Sequence, residues 1–450
     1  MTKKEFKVTC VALADEGRGI VRIEDKTLFV KDLLVGEEAI VETIYKHGKL
    51  FDCRLVKRLT ESKDRVKPLC PYYEQCGGCQ IMHLSYEKQL EFKKNKVQNL
   101  LHKFAGIDFP VSDTIGVQNP YNFRNKVQKV CGYDKKTKKA ITGFYKGQTH
   151  DLVNISNCLI ENKNSNIVSK EVIRLINDFK YEPYDEDKHK GLIRHVLIKY
   201  SDYYKECLVC LVINGNNLVG GNNFVKALTA RCKEVKSVVL NFNTRRTNVI
   251  LGEKEKVIYG TGKIKDRIFD KDFFISSQSF FQTNSHMIET LYKTAIDSLN
   301  LTKEDEVLDA YSGTGTIGIS MSGYAKHVTL CELNTDAYKD SILNAKINKC
   351  DNITFVNKDC TEFLINDDSK YDVIVMDPPR KGSTKEFVTA LCNKKPKKVA
   401  YISCNPATLA RDLTYFSDDY KIEKVVPVDM FPHSEHVETI CVLSLKGQNS

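Results

Sequence analysis

Leu308-Asp309-Ala310-Tyr311-Ser312-Gly313-Thr314-Gly315 reads as a buried strand that runs into a glycine-rich turn. Gly313 and Gly315 let the backbone fold tightly beneath a ligand. Around this stretch, from residue 271 onward, short apolar runs alternate with helical patterns. Strands are expected near 306–310, 327–332, 353–357, 371–377, 398–404, 421–428 and 438–445, with helices at about 284–299, 316–322, 334–348, 384–393 and 406–414. That alternation predicts an α/β fold, a doubly wound Rossmann-like sheet whose ligand sits beyond the carboxyl ends of its strands.

Upstream the pattern is different. Residues 1–60 hold five short β-type runs separated by turns such as Asp15-Glu16-Gly17-Arg18-Gly19, the pattern of a small OB-like barrel. Such barrels often bind single-stranded nucleic acid. Residues 61–84 read as a polar loop carrying cysteines. A helix is expected over 85–104, with Ser85 as N-cap, Leu90, Val97, Leu101 and Phe104 on its buried face, and Lys93, Lys94, Lys96 and Lys103 toward solvent. Residues 110–270 look mixed and β-rich. Three units are therefore expected: 1–60, 61–270 and 271–450.

Of the 450 residues 42% are hydrophobic, yet no apolar stretch approaches 18 residues and no charged-then-apolar leader is present. A soluble cytoplasmic protein without membrane contact is expected, a monomer with no obligate protein partner. Many of the sixteen cysteines stand singly inside apolar runs, which favours reduced thiols over a disulfide framework. The net charge of +10 is uneven: residues 1–270 carry 48 Lys/Arg against 33 Asp/Glu, and residues 271–450 carry 20 against 25. A basic front on a slightly acidic back suggests a polyanion-binding part serving a catalytic part. A solvated lysine-rich surface is the plainer alternative.

Three strand ends suggest a cofactor. Glu332 ends the strand after the glycine turn, where a carboxylate can accept hydrogen bonds from both ribose hydroxyls; Asp359 follows the third strand, placed to meet an adenine amino group. Gly313-x-Gly315-x-x-Gly318 has the glycine spacing that dinucleotide folds share, and what sets this chain apart is Asp377-Pro378-Pro379-Arg380 closing the fourth strand. That turn favours S-adenosylmethionine over a nicotinamide dinucleotide. The prolines fix an extended exit, so Asp377 projects into the crevice.

Cys404 closes the apolar run Val399-Ala400-Tyr401-Ile402-Ser403 and precedes Asn405-Pro406. A cysteine on an apolar strand is usually core, and Cys331, Cys392 and Cys441 are read so. Cys404 differs: it ends its strand, a proline turn exposes it, and the helix that follows is expected to lower its thiol pKa. Most methyl transfers need no enzyme nucleophile, but transfer to pyrimidine C5 does. A thiolate adding to C6 makes C5 nucleophilic, and a base must later remove the C5 proton. Glu438 is the candidate base, with a structural edge glutamate as alternative; His433 and His436 are read as turn-shaping. Separately, Cys70-x5-Cys76-Gly77-Gly78-Cys79 groups three thiols for a metal or an iron–sulfur cluster, with Cys158 as fourth ligand and zinc an equal alternative. Cys131 lies mid-strand, and Cys207-x2-Cys210 falls within an apolar strand.

Together these residues resemble the RNA (uracil-5-)-methyltransferase family, in particular its 23S ribosomal RNA branch, over essentially the whole chain. The resemblance implies a TRAM barrel over 1–60 and a [4Fe-4S] cluster, rather than zinc, on Cys70, Cys76, Cys79 and Cys158. Ser279-Phe280-Phe281-Gln282-Thr283-Asn284 is similar to the family segment whose Gln touches the cofactor, here Gln282. It further implies cofactor positions at Tyr311, Glu332, Asp359 and Asp377, beside the turn glycine Gly313 read above, with the nucleophile at Cys404 and the base at Glu438. Tyr121-Asn122-Phe123-Arg124-Asn125-Lys126 resembles the RNA-facing segment, and Phe280 or Phe281 is a candidate to stack on a base. Relatives often have Cys where Ser312 stands. The expected activity is 5-methyluridine formation in 23S rRNA. Transfer RNA as substrate, methylation of an exocyclic amine and a non-catalytic RNA-binding role are the alternatives.

Overall fold

The computed structural model describes residues 5–447 apart from residues 148, 150 and 417. At the front, six strands lie in the order Glu5–Thr9, Glu38–His47, Leu50–Arg58, Lys26–Val30, Gly19–Ile23 and Ala12–Leu13. Val8, Val21, Leu28, Val30, Ala39 and Val41 form their shared core. The first apolar run breaks into two strands, so six appear where five were expected. Glu37 is fully buried and accepts from Arg65 Nε at 2.5 Å, which ties this sheet to the cysteine loop that follows.

The helix Tyr86–Ala105 comes next, and it departs from the amphipathic reading. Lys93 is completely buried rather than solvent-facing, paired with Asp429 at 2.5 Å. Phe104 is 53% exposed rather than packed. Ser85 occupies the N-cap position without a capping side-chain hydrogen bond.

The central sheet has seven strands, in the order Lys254–Tyr259, Val235–Phe242, Glu206–Ile213, Ile193–Ser201, Lys126–Tyr133, Ala140–Tyr145 and Leu152–Asn154. The helices Lys163–Asp178 and Gly221–Arg231, which the sequence reading lacks, bury Val168, Val172, Leu175, Phe224 and Leu228 against it. A hairpin, Lys263–Ile268 with Lys271–Ser276, turns at residues 269–270 and contributes Ile264, Ile268, Phe273 and Ile275 to the core of the last sheet.

That last sheet runs Ile353–Val356, His327–Cys331, Glu306–Ala310, Val373–Met376, Lys398–Ser403, Glu438–Leu445, Tyr420–Val428. Its first five strands are parallel, and the last two pair antiparallel. Helices Ser285–Leu299, Thr316–Met321, Thr335–Ile347, Lys385–Lys394 and Pro406–Leu413 cover its two apolar faces. A sixth, Cys360–Asn366, was not expected; Asp359 caps it. Chain order reverses between Glu306–Ala310 and Val373–Met376, which opens a crevice at the carboxyl ends of these strands. Among the described residues, no helix is long and apolar enough to cross a membrane.

Candidate active site

The crevice gathers residues from separate strand ends. Tyr311, Gly313 and Gly315 all have positive φ (62°, 55° and 80°), so the chain leaves its strand by a tight left-handed path. A Cβ at Gly315 would press on Ile319, Leu330 and Ser341 at 3.0–3.1 Å and would be strained at this positive φ. Glu332 braces the turn: its Oε2 accepts from Gly313 N–H at 2.8 Å and its Oε1 from Asn334 N–H at 2.6 Å. Asp359 uses one oxygen to cap its helix, accepting from Thr361 N–H at 2.9 Å. Tyr311 Oη lies 3.1 Å from Ser383 Oγ, beside the Pro-Pro-Arg loop.

Gln282 is buried, in a segment fixed from below. Lys199 Nζ donates to the carbonyls of Ser276 and Ser279, both at 2.6 Å, and Asn125 Nδ2 donates to Gln282 O at 3.1 Å. In this segment Phe281 joins the core, whereas Phe280 is 61% exposed and free to meet a flat ligand.

Antiparallel pairing brings Cys404 and Glu438 together. Ser403 pairs with Thr439, so the residue after one strand and the first residue of the other meet at the same edge. Glu438 is 3% exposed, with Oε2 lacking a hydrogen-bond partner among the described residues. Burial, then the charge of Asp377, pushes its carboxyl well above the usual range, while Arg380 opposes the shift. Burial likewise pushes Asp377 up to about 7. Asp309, which accepts from Gly318 N–H at 2.8 Å and leaves Oδ1 unpartnered, is pushed up to about 8, mainly by burial. Two neighbouring carboxyls in a desolvated site do not ionise independently, so one can hold a proton while the other accepts one.

The helix following Cys404 does not lower its thiol pKa. Burial first, then Glu438 and Asp377, push the thiol up to about 11, and Arg380 opposes this by charge and a hydrogen bond. The helix end is already occupied, because Asn405 Oδ1 accepts from Ala407 N–H at 3.1 Å. Arg380 is held close by its own backbone: its carbonyl accepts from Asn405 Nδ2 at 3.2 Å and Thr408 Oγ1 at 3.3 Å. Fully buried Asp412 fastens the rest of the loop, accepting from Ser383 N–H at 2.7 Å and Tyr401 Oη at 2.6 Å. Arg380 was visible in the sequence only as the end of a motif. Asp412 gave no signal, since an acidic residue inside a helix looks solvent-facing.

Elsewhere, Cys70, Cys76, Cys79 and Cys158 line one cavity of about 420 Å³, beside Arg124 and Phe144. Burial raises the thiol pKa of Cys76, Cys79 and Cys158; for Cys158 it reaches about 12. No group of three or more His, Cys, Asp or Glu among the described residues is arranged to hold a metal ion. Four thiols lining one cavity are soft donors, the donor type that thiophilic metals and clusters take. Cys131, Cys207, Cys210, Cys331, Cys392 and Cys441 are buried in the cores.

Residues 85–446 match the family model described as tRNA (Uracil-5-)-methyltransferase. An uncharacterised RNA methyltransferase of Staphylococcus aureus is 39% identical over 99% of both chains. Another from Caldanaerobacter subterraneus is 41% identical over 98% of each. Among solved structures, the Pyrococcus abyssi tRNA (uracil-54, C5)-methyltransferase in complex with S-adenosyl-L-homocysteine superposes with a TM-score of 0.79, at 27% identity, covering 97% of this chain and 99% of that one.

Proposed function

Because the chain belongs to the tRNA (uracil-5-)-methyltransferase family and is an RNA methyltransferase, we propose that it methylates C5 of a uridine in 23S ribosomal RNA through a covalent adduct on Cys404. The observation that carries this reading is the Cys404–Glu438 juxtaposition, a nucleophile and a buried carboxyl on paired strands. S-adenosylmethionine supplies the electrophilic methyl group when bound; the crevice offers Gln282, Tyr311, Gly313, Glu332, Asp359 and Asp377 to hold it. The Cys404 thiolate bonds to uracil C6, and the displaced π electrons pass through C5 to O4 as an enolate. Once C5 has taken the methyl group, Glu438 accepts the C5 proton. The electron pair left behind restores the C5–C6 double bond and expels the thiolate. Arg380 favours the thiolate electrostatically. Flipping the base out of its loop brings C6 to the thiol, with exposed Phe280 available for stacking.

The three segments 1–60, 61–270 and 271–450 are read as a TRAM barrel, a central RNA-binding unit and the methyltransferase unit. The cysteine cavity supports a [4Fe-4S] cluster on Cys70, Cys76, Cys79 and Cys158, held for structure because methyl transfer is redox-neutral. A second reading, transfer RNA as substrate, is favoured by the matching family's description and by the Pyrococcus abyssi enzyme. Labelled methyl transfer into unmodified ribosomal and transfer RNA, with the nucleoside identified by mass spectrometry, separates the two. 5-Methyluridine in 23S rRNA supports the first and in tRNA the second; a methylated amine overturns the covalent chemistry.

A further inference from the structure

Tyr86, Gln89, Lys93 and Lys96 are spaced 3, 4 and 3 residues apart, so they form one stripe along the helix Tyr86–Ala105. All four reach the connection between the last two strands, the segment that delivers Glu438. Tyr86 Oη donates to Asp429 Oδ2 at 2.9 Å, and Lys93 Nζ donates to Asp429 Oδ1 at 2.5 Å and to Phe431 O at 3.0 Å. Gln89 Oε1 accepts from His433 N–H at 3.0 Å, and Lys96 Nζ donates to Glu435 Oε2 at 2.8 Å. From the opposite side Asn284 Nδ2 donates to Met430 O at 3.1 Å. His433 stands at φ 67°, and its carbonyl accepts from both Gln80 and Ile81 N–H at 3.0 Å, directly after Cys79.

Such an arrangement is costly for stability alone. Lys93 and Asp429 are both fully buried, and a buried ion pair gains little over well-packed neutral residues of the same volume. What the stripe adds is direction, since each hydrogen bond fixes one atom of a segment that would otherwise have several ways to cross from Val428 to Glu438. We propose that Tyr86, Gln89, Lys93 and Lys96 are positioning residues that set the Glu438 carboxyl for proton removal from C5. This inference rests on the reading of Glu438 as the base. It assigns to the stripe the release step, and neither RNA binding nor addition of the thiol.

The test compares Lys93→Met/Asp429→Asn, which removes both charges and keeps the volume, with Tyr86→Phe, which removes a single hydroxyl. Glu438→Gln runs in parallel as the reference. Each is followed for RNA affinity, melting temperature, the rate of Cys404–RNA adduct formation and the lifetime of the denaturation-resistant adduct. The pair variant is expected to lengthen adduct lifetime at least tenfold, with adduct formation and RNA affinity within twofold of wild type; Tyr86→Phe shifts lifetime the same way by less. A merely structural role instead lowers the melting temperature and slows every step alike, and that result overturns the inference. So does an unchanged lifetime in both variants while Glu438→Gln accumulates adduct. If Glu438→Gln accumulates none, the assignment of the base itself fails, and the inference with it.

Discussion

At Cys404, three charges compete for one thiol. Glu438 and Asp377 disfavour the thiolate and Arg380 favours it, with burial tipping the balance so that the thiol is pushed up to about 11. Only a small fraction is thiolate near neutrality, and that fraction grows about tenfold for each pH unit below the pKa. The rate of adduct formation on 5-fluorouridine RNA should therefore rise about tenfold per unit between pH 7 and 9. Arg380→Met should slow it at every pH in that range. A rate flat with pH would show that the thiol is not held high. Two further substitutions separate addition from release. Cys404→Ala should abolish turnover and leave S-adenosylmethionine affinity intact in calorimetry. Glu438→Gln should trap RNA on the protein as a band that survives denaturing gels. The sequence placed both residues at strand ends. It could not show the sign of the thiol shift, because burial decides it first and the carboxyls that add to it lie 27 residues before and 34 residues after Cys404.

At the scale of elements, the loop from Asp377 to Thr384 is shaped by two prolines and fastened by Asp412 on the helix Pro406–Leu413. Its carboxylate serves Ser383 N–H, Tyr401 Oη and Arg411 Nε, the last at 2.8 Å. An asparagine cannot accept all three, so Asp412→Asn should destabilise the protein by about 1–3 kcal/mol. The same change should slow adduct formation, since the loop carries Arg380. Urea unfolding and adduct kinetics check both. An unchanged unfolding midpoint would show that the loop stands without the aspartate. The alternation of strands with helices from residue 306 was readable because most strands there are short apolar runs between turns, whereas Lys271–Ser276 was missed. Lys163–Asp178 was missed although Val168, Val172, Leu175 and Ile176 repeat at helical spacing, because its polar opening, Lys163-Asn164-Ser165-Asn166, reads as loop. Lys93 was misplaced for another reason. Helical periodicity assigns a lysine to solvent unless a buried carboxylate is known to face it, and Asp429 lies 336 residues away.

For the whole molecule, charge divides along the chain, and the proposed split between RNA capture and catalysis follows it: 48 basic against 33 acidic residues precede residue 271, and acids exceed bases after it. Cysteine spacing pointed to residues that share one cavity, since Cys70, Cys76, Gly77, Gly78 and Cys79 all line it. The hollow they share with Cys158 was not legible, since it depends on Phe144 and Arg124 from the central sheet and its approach. If that hollow holds an iron–sulfur cluster, its removal should loosen the loop at 61–84 and the residues beside it proposed to face RNA, Tyr121 above all, whose ring lies 4.7 Å from that of His433. RNA affinity would then suffer, while the crevice for S-adenosylmethionine, at the strand ends of another sheet, would not. Anaerobically purified protein should carry iron and acid-labile sulfide, and Cys79→Ser should lose both. That variant should bind RNA at least tenfold more weakly at 150 mM salt. Its salt dependence should also be shallower, since each lost phosphate contact removes about 0.7 from the slope of log affinity against log salt. Iron-free Cys79→Ser with unchanged RNA affinity and normal methylation would leave the cavity without a part in RNA capture. Weaker S-adenosylmethionine binding in the same variant would instead mean that the cysteine loop supports the methyltransferase sheet itself, through the His433 carbonyl that takes the amides of Gln80 and Ile81.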